Sequence, residues 1–406
     1  MKKRITFKQA MFLMPLLILL GIFAVYPIVT SAVYSLFDYR TNDQSVAGLY
    51  VSSKFNAPLF YEDAGYITWY MEDDVTLLEG SDQTAAQAII DGINEVAAPY
   101  AEATEVISLD DDASQAVLDK MEGYQNDLKT IYANNSSKEF YNGYDKLSLL
   151  FDEIKTCKIS DNFTGLAAYK QVLQDSRFGT SLGTTITFTV ISVFFEFILG
   201  LALALIMNKA IKGIGVVRTV SLIPWAIPTA VSALMWSYMY DGSYGVVAKI
   251  FTDLGFISSP EVMLLTKSGA MTAAILADVW KTTPYMALLL LAGLQVIDKG
   301  LYESASIDGA GPIRTFFSIT LPLLKPSILV ALLFRTLDAF RVYDLIAVLT
   351  GGAQGTETLS IYAYKLMINQ SNYGYGSVVV LAMAACVGII SFIFVKVLGA
   401  ELLEDD

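Results

Sequence analysis

The chain has 406 residues, 54% of them hydrophobic and only 17% charged, where a soluble domain carries roughly 25% charge. Long apolar runs and a positive mean hydropathy mark an integral membrane protein rather than the string of soluble domains its length would suggest. His is absent, and the two cysteines, Cys157 and Cys386, lie in unlike surroundings. A His/Cys metal site, a Ser-His-Asp triad and a disulfide scaffold are thereby excluded. The net charge of −13 is unevenly divided: residues 38–161 hold 24 acidic and 8 basic side chains, the remainder 16 and 19. One acidic, water-facing insert interrupts a mildly basic membrane protein, and no basic stripe suits nucleic acid.

A bilayer core takes about 20 apolar residues in helix. The first such run, residues 10–37, follows Lys2, Lys3, Arg4 and Lys8. It exceeds the h-region of a cleaved signal, about 7–15 residues, and no Ala-x-Ala site follows, so it reads as an uncleaved span. Further runs at 182–207, 216–240, 270–296, 328–350 and 378–398 bring the count to six. Lys209, Lys212 and Arg218 lie between the second and third, and Lys299, Arg314 and Lys325 between the fourth and fifth. By the positive-inside rule these loops and both termini are cytoplasmic, which leaves the insert outside. The expected fold is an all-α integral membrane protein: an N-terminal span (1–37), a small, mainly helical extracytoplasmic insert (38–175), a five-span core (176–400) and a cytoplasmic tail (401–406).

Within the insert, Ala86, Ile89, Ile90, Ile93 and Ala97 follow helical spacing. Ala116, Leu118, Met121, Leu128 and Ile131 predict a second helix, and Tyr144, Leu147, Leu150, Phe151 and Ile154 a third. Such a unit serves either as a docking domain or as a solvated spacer, since an acidic surface alone implies only solubility. Asn134, Asn135 and Asn162 stand in Asn-x-Ser/Thr sequons, which matter only in a glycosylating host.

The loop between the fourth and fifth spans is too apolar for water. It reads LYESASIDGAGPIRTFFSITLPLLKPS from residue 301 to 327. Left exposed, such a segment marks either a partner site or a helix lying on lipid. Glu303-x-Ala305 is followed after three residues by Gly309, and after nine more by Ile319-x-Leu321-Pro322. This spacing resembles the EAA loop of ATP-binding cassette importer permeases, departing only at Ser304, where the pattern has Ala. DVWKTTPYMALLL upstream and FRVYDLIAVLTGG downstream resemble the carbohydrate branch, specifically the maltose-type permease with an extracytoplasmic insert. The resemblance covers about residues 182–398.

The resemblance implies that the loop forms a coupling helix seated in a cleft of an ATP-binding subunit. Glu303, Ala305, Asp308, Gly309, Ile319, Leu321 and Pro322 would carry that contact, with Glu303 pairing to a basic residue of the partner and Gly309 accepting the turn. It implies a second permease subunit, two ATP-binding subunits, an extracellular solute-binding protein and a sugar substrate, in a bacterial cell membrane. The chain has no Gly-x-x-x-x-Gly-Lys-Ser/Thr loop, so it is expected to bind no cofactor and to be no enzyme itself. ATP and Mg would sit on the partner subunits.

Ionisable residues inside spans are costly and usually face a cavity or a partner. Asp278 and Lys281 stand three apart beside Thr282, Thr283 and Pro284, and Arg335, Asp338 and Arg341 repeat that spacing. Trp225 and Thr229 flank Ala226-Ile227-Pro228, where proline helps unwind a helix at mid-membrane. Matching stretches line the sugar site in the maltose-type relatives. Trp225, Thr229, Asp278, Lys281, Thr282 and Asp338 are therefore candidate sugar contacts. A purely structural ion-pair network stands as the competing reading: Asp278 with Lys281, and Asp338 with either arginine. An ion-coupled secondary transporter, with Asp278 and Asp338 as proton carriers, is the alternative function. It leaves the apolar loop unexplained and shows no inverted repeat.

Overall fold

The computed structural model describes residues 7–209, 213–397 and 399. Lys2, Lys3, Arg4, Lys212 and the tail from 401 to 406 lie outside the described residues. The chain divides into two compact units. One runs up to Ala168 and includes Gln370–Tyr375; the other comprises Tyr169–Asn369 and the residues from Gly376 on.

In the first unit, helices α1 (Phe7–Leu20) and α2 (Tyr26–Tyr34) join through a wide turn at Gly21–Val25. Residues Leu13–Tyr34 are long and apolar enough to cross a membrane, and none of their side chains is buried within the chain. Strand β1 (Lys54–Phe55) is followed by α3 (Ala57–Val75) and α4 (Gly80–Ala97). Then come β2 (Ile107–Ser108), α5 (Asp111–Asn134), α6 (Gly143–Ile154) and β3 (Lys158–Ile159). The strands form a small antiparallel sheet in the order β2-β1-β3, with Lys54 opposite Ser108 and Ile159.

The apolar faces of the four helices close over Phe55, Phe60, Ile67, Met71, Ile90, Ile93, Met121, Leu128 and Phe151. Burial of such side chains contributes about 1.5–3 kcal/mol each, so the insert has a core of its own. Asp74 ties its far end together: it accepts from Tyr132 Oη at 2.7 Å and from the backbone N–H groups of Asn142 and Gly143 at 3.0 and 2.9 Å. Those N–H groups begin α6 and have no partner within the helix. The three helices anticipated in sequence are α4, α5 and α6. Helix α3 was not anticipated, because exposed Tyr61, Tyr66 and Trp69 interrupt the pattern of its buried Phe60, Ala64, Ile67 and Met71. The sequon at Asn162 is buried: its side chain accepts from Tyr50 N and donates to the carbonyls of Asp38 and Gly48. That amide is a structural clasp.

Helix α7 (Ala167–Gln174) precedes α8 (Ser176–Met207), whose N-cap Asp175 accepts from Arg177 N at 2.8 Å. After it come α9 (Ile214–Ser221), α10 (Ile223–Ala226), α11 (Thr229–Met239), α12 (Val246–Asp253) and α13 (Val262–Leu265). The central rod is α14 (Lys267–Val296), started by Thr266, which accepts from Gly269 N. Next stand α15 (Lys299–Ile307), α16 (Pro312–Thr315), α17 (Leu321–Phe340), α18 (Asp344–Leu349), α19 (Leu359–Tyr364) and α20 (Tyr373–Phe392). In the second unit, α8, α14 and α17 pack together. Small residues on α14 (Ala270, Ala273, Ala274, Ala277) are fully buried and let helix backbones approach closely, as in membrane bundles generally. Gly200 and Gly293 mark close approaches between these helices: a Cβ at Gly200 would meet Met286 Cγ at 2.7 Å, and one at Gly293 would collide with Ser327.

Among the described residues, five helices are long and apolar enough to span: Leu13–Tyr34, Ser176–Met207, Lys267–Val296, Pro312–Phe340 and Tyr373–Lys396. A sixth is the pair Ile214–Ala226 and Thr229–Met239, bent by 88°. The protein is thus all-α in its membrane part, and the count reaches six when the bent pair is one span. The third span is broken at Ile227-Pro228, where the proline was expected to unwind it. One span is placed differently from expectation: the fifth begins near Pro312 and ends at Phe340, not at 328 and 350. Pro322 sits in the first turn of α17, where no N–H is required, and the wide turn Phe316–Thr320 carries the helix through from α16.

One buried group gives the insert a pH signature. Asp63, on the inner face of α3, has no hydrogen-bond partner for Oδ2 among the described residues. Burial, then Glu153 and Glu62, push its carboxyl up to about 7. Between its ordinary value of 3.8 and that raised one, the folded state holds the proton that the unfolded state releases. Stability therefore falls as pH rises across that window. In the full-length chain, amide exchange in α3 and α6, corrected for intrinsic rate, should be slower at pH 5 than at pH 7.5. Asp63→Asn should remove that difference and slow exchange at pH 7.5; equal protection in the wild type at both pH values would contradict this.

Candidate functional site

The third span breaks for a local reason. A residue before proline is steered out of the helical region, and Ile227 (φ −71°, ψ 133°) and Pro228 (φ −53°, ψ 137°) are both extended. Beside the break lies a cavity of about 510 Å³, lined by Trp225–Thr229, by Asp278, Lys281 and Thr282 of α14, and by Arg335, Asp338, Arg341, Tyr343 and Asp344 from α17 to α18. All six candidate contacts read from sequence line it: Trp225, Thr229, Asp278, Lys281, Thr282 and Asp338.

Of the three-residue pairs read from sequence, Arg335–Asp338 forms and Asp278–Lys281 does not. Arg335, 1% exposed, donates to Glu196 through Nε at 2.5 Å and Nη2 at 2.9 Å. It also reaches Asp278 Oδ2 at 2.5 Å and Asp338 Oδ2 at 2.9 Å. Asp278 thus pairs with Arg335 across helices and not with Lys281 on its own helix. Asp338 also takes Arg335, while Arg341 donates to the Leu337 carbonyl. Lys281 Nζ donates to the carbonyls of Ile227 at 2.6 Å and Trp225 at 3.3 Å. Thr282 Oγ1 donates to the Asp278 carbonyl, and its oxygen can still accept. Trp225, 46% exposed, stacks on Tyr285 with centroids 5.5 Å apart and planes within 11°.

Glu196 and Tyr285 were missed in sequence. A lone carboxylate in the run FFEFILG was signal enough for Glu196, but its arginine lies 139 residues away. The wall of the cavity is therefore charge-paired. Guanidinium, carboxylates and hydroxyls sit beside an indole face, the mixture that suits a ligand with both hydroxyls and C–H faces.

At the other end of α14, Asp298 caps α15 through Gly300 N. Helix α15 ends where Ala310 N returns to the Ala305 carbonyl and Gly309 N to Ser306, with Gly309 at φ +75°. That closure favours glycine at the position after the cap. Ala305 is buried, Glu303 and Asp308 are exposed, and Ile307 is 87% exposed beside exposed Leu301, Ile313 and Phe317. Ile319, Leu321 and Pro322 were expected in a loop. They lie instead within the helical rod Pro312–Phe340.

Residues 196–403 match the family model for the binding-protein-dependent transport system inner membrane component. The chain belongs to that family. Among curated relatives of this inner membrane component, the trehalose/maltose transport system permease protein MalF of Thermococcus litoralis is 48% identical over 237 residues, covering 58% of this chain and 79% of the relative. The trehalose transport system permease protein SugA of Mycobacterium tuberculosis is 43% identical, covering 59% and 76%. A crystal structure of a bacterial ABC transporter involved in the import of the acidic polysaccharide alginate shares the fold, with a TM-score of 0.53 and 23% identity over 59% of this chain and 85% of that one. The inner membrane component is accordingly a transport permease and not an enzyme.

The buried cluster sets a stability test. Arg335→Met strands Glu196 as an uncompensated carboxylate, and breaking such a pair costs about 3–5 kcal/mol. Recovery of folded protein in detergent and its melting temperature should both fall sharply. Glu196→Gln in the same chain should restore part of each.

Proposed function

We propose that this permease is one half of the translocation pathway of an ATP-driven importer for a sugar or oligosaccharide, and that the cavity at the break in the third span is where the sugar passes. The observation that carries the reading is that cavity: a polar, charge-paired chamber among membrane-spanning helices, with an indole on its wall. Carboxylates held in place by Arg335 keep oxygens that can accept hydroxyl hydrogen bonds, and an indole face receives the C–H face of a sugar ring. Trehalose and maltose in the names of the relatives point to the same ligand class.

In this reading the exposed helix α15, with Glu303, Ala305, Asp308 and Gly309, seats in one of two ATP-binding subunits. Ile319, Leu321 and Pro322 support the return strand of the coupling element as part of its helix. A second permease subunit completes the pathway, and an extracellular solute-binding protein delivers the sugar. ATP and Mg belong to the ATP-binding subunits, and this chain carries no cofactor of its own. Both termini and α15 face the cytoplasm, with the acidic insert outside, as the distribution of Lys and Arg indicates. The cavity works by alternating access: closure of the ATP-binding subunits moves α15 and reopens the site outward.

Two variants test the two ends. In reconstituted importer, Trp225→Ala should raise the half-saturation for sugar uptake about tenfold, the loss of roughly one stacking contact, with ATP hydrolysis triggered by the liganded binding protein retained. Glu303→Lys should leave the chain inserted but abolish that stimulated hydrolysis. Normal uptake by the first variant would remove the indole from the path, and normal coupling in the second would remove Glu303 from the contact.

A further inference from the structure

Unwinding a helix inside a membrane strands carbonyl groups. The carbonyls of Trp225 and Ile227 would accept from N–H groups four residues on, but the extended backbone at Ile227 and Pro228 and the 88° bend take those donors away. An unpaired carbonyl at membrane depth is costly. Lys281 supplies both donors. Its stem rises from α14, three residues past Asp278, and Nζ reaches both carbonyls at once. Asp278 and Asp338, two of the three carboxylates lining the cavity with this lysine (Asp344 is the third), are both held by Arg335. That division of labour leaves the ammonium for the backbone.

We infer that Lys281 is a positioning residue of the transport site: it pins the broken turn to α14 and so fixes the Trp225 ring against Tyr285 as the wall of the cavity. This rests on the proposed sugar path for its functional consequence, but not for its structural one. Tyr285 is four residues beyond Lys281 on the same helix, so one face of α14 grips the broken segment twice, by backbone at Lys281 and by ring at Tyr285. A lysine that touched the sugar directly would act independently of the indole. A lysine that positions the indole acts through it.

A double-mutant cycle on the reconstituted importer separates these roles. Lys281→Met and Trp225→Ala should each raise the half-saturation for uptake about tenfold, and the double variant should be no worse than about tenfold. Lys281→Arg, which keeps the donors, should recover to within about threefold of wild type. A second readout needs no sugar. In the assembled importer labelled with 5-fluorotryptophan, the fluorine resonance lost in Trp225→Phe identifies Trp225; Lys281→Met should shift it and leave those of Trp69 and Trp236 in place. If Lys281→Met is not recovered as an assembled complex, Lys281→Gln, with a shorter donor, is read by the same resonance. A multiplied defect of about a hundredfold in the double variant, or an unmoved Trp225 resonance, would overturn the inference. A shifted resonance with normal uptake in Trp225→Ala would instead leave the positioning role standing and sink the sugar path.

Discussion

The membrane part of this protein depends on one guanidinium. Arg335 satisfies four hydrogen bonds to three carboxylates drawn from α8, α14 and α17. A charge so placed is tolerable only when paired and saturated with hydrogen bonds. Its bidentate grip on Glu196 fixes the plane of the fork and with it the directions of the three remaining N–H donors, two of which meet Asp278 and Asp338. Hydrophobic contacts cannot select among helix registers in lipid, where the surroundings are as apolar as the side chains. A buried charged cluster can, because a helix sliding by one turn would strand its members.

That constraint explains what the cavity is made of. Without Arg335, the carboxylates of Asp278 and Asp338 would repel each other and draw Lys281 toward them. With Arg335 in place both are hydrogen-bonded to one guanidinium, and Lys281 takes the backbone at the break instead. The unwound turn and the buried charges, two expensive features in a membrane, are arranged so that each satisfies its own demands without competing for the same donor. A chamber remains whose polar atoms are oriented and whose charges are balanced.

Much of this was legible in the sequence, for identifiable reasons. Apolar run length gave the spans, and Pro228 gave the break, since proline acts on its own neighbours. The helix α15 and its glycine turn were implied by the family resemblance that the residues from Glu303 to Pro322 carry. The six candidate contacts were carried over from motifs resembling those of maltose-type permeases, and they line one cavity. What the sequence did not disclose was pairing. Asp278 and Lys281, three apart on one helix, suggested an ion pair, yet the partner of Asp278 is 57 residues away and that of Glu196 is 139. Periodicity reports which face a residue occupies, not which helix stands opposite. The fifth span was misplaced because Pro322, Lys325 and Pro326 look like interruptions, although Pro322 stands in the first turn of α17, where proline costs little, and the helix runs on past Pro326 to Phe340. Helix α3 was hidden by exposed aromatics, which carry the same hydropathy as core residues.

The placement of α15 relative to the cavity has a mechanical consequence under the proposed function. From Lys281 to the end of α14 at Val296 is fifteen residues, about 22 Å, and from the start of the rod at Pro312 to Arg335 is twenty-three residues, about 34 Å. Both helices leave the connection that holds α15, and the Arg335–Asp278 bridge ties them together at the level of the cavity. A push on α15 from an ATP-binding subunit would therefore be carried along two helices to the level of Lys281 and Arg335. The segment beside those helices with the least helix of its own is the four-residue α10 and the break after it. Displacement would be taken up there, at the turn Lys281 holds, which is where the wall of the cavity has to change if the site is to open on one side and close on the other.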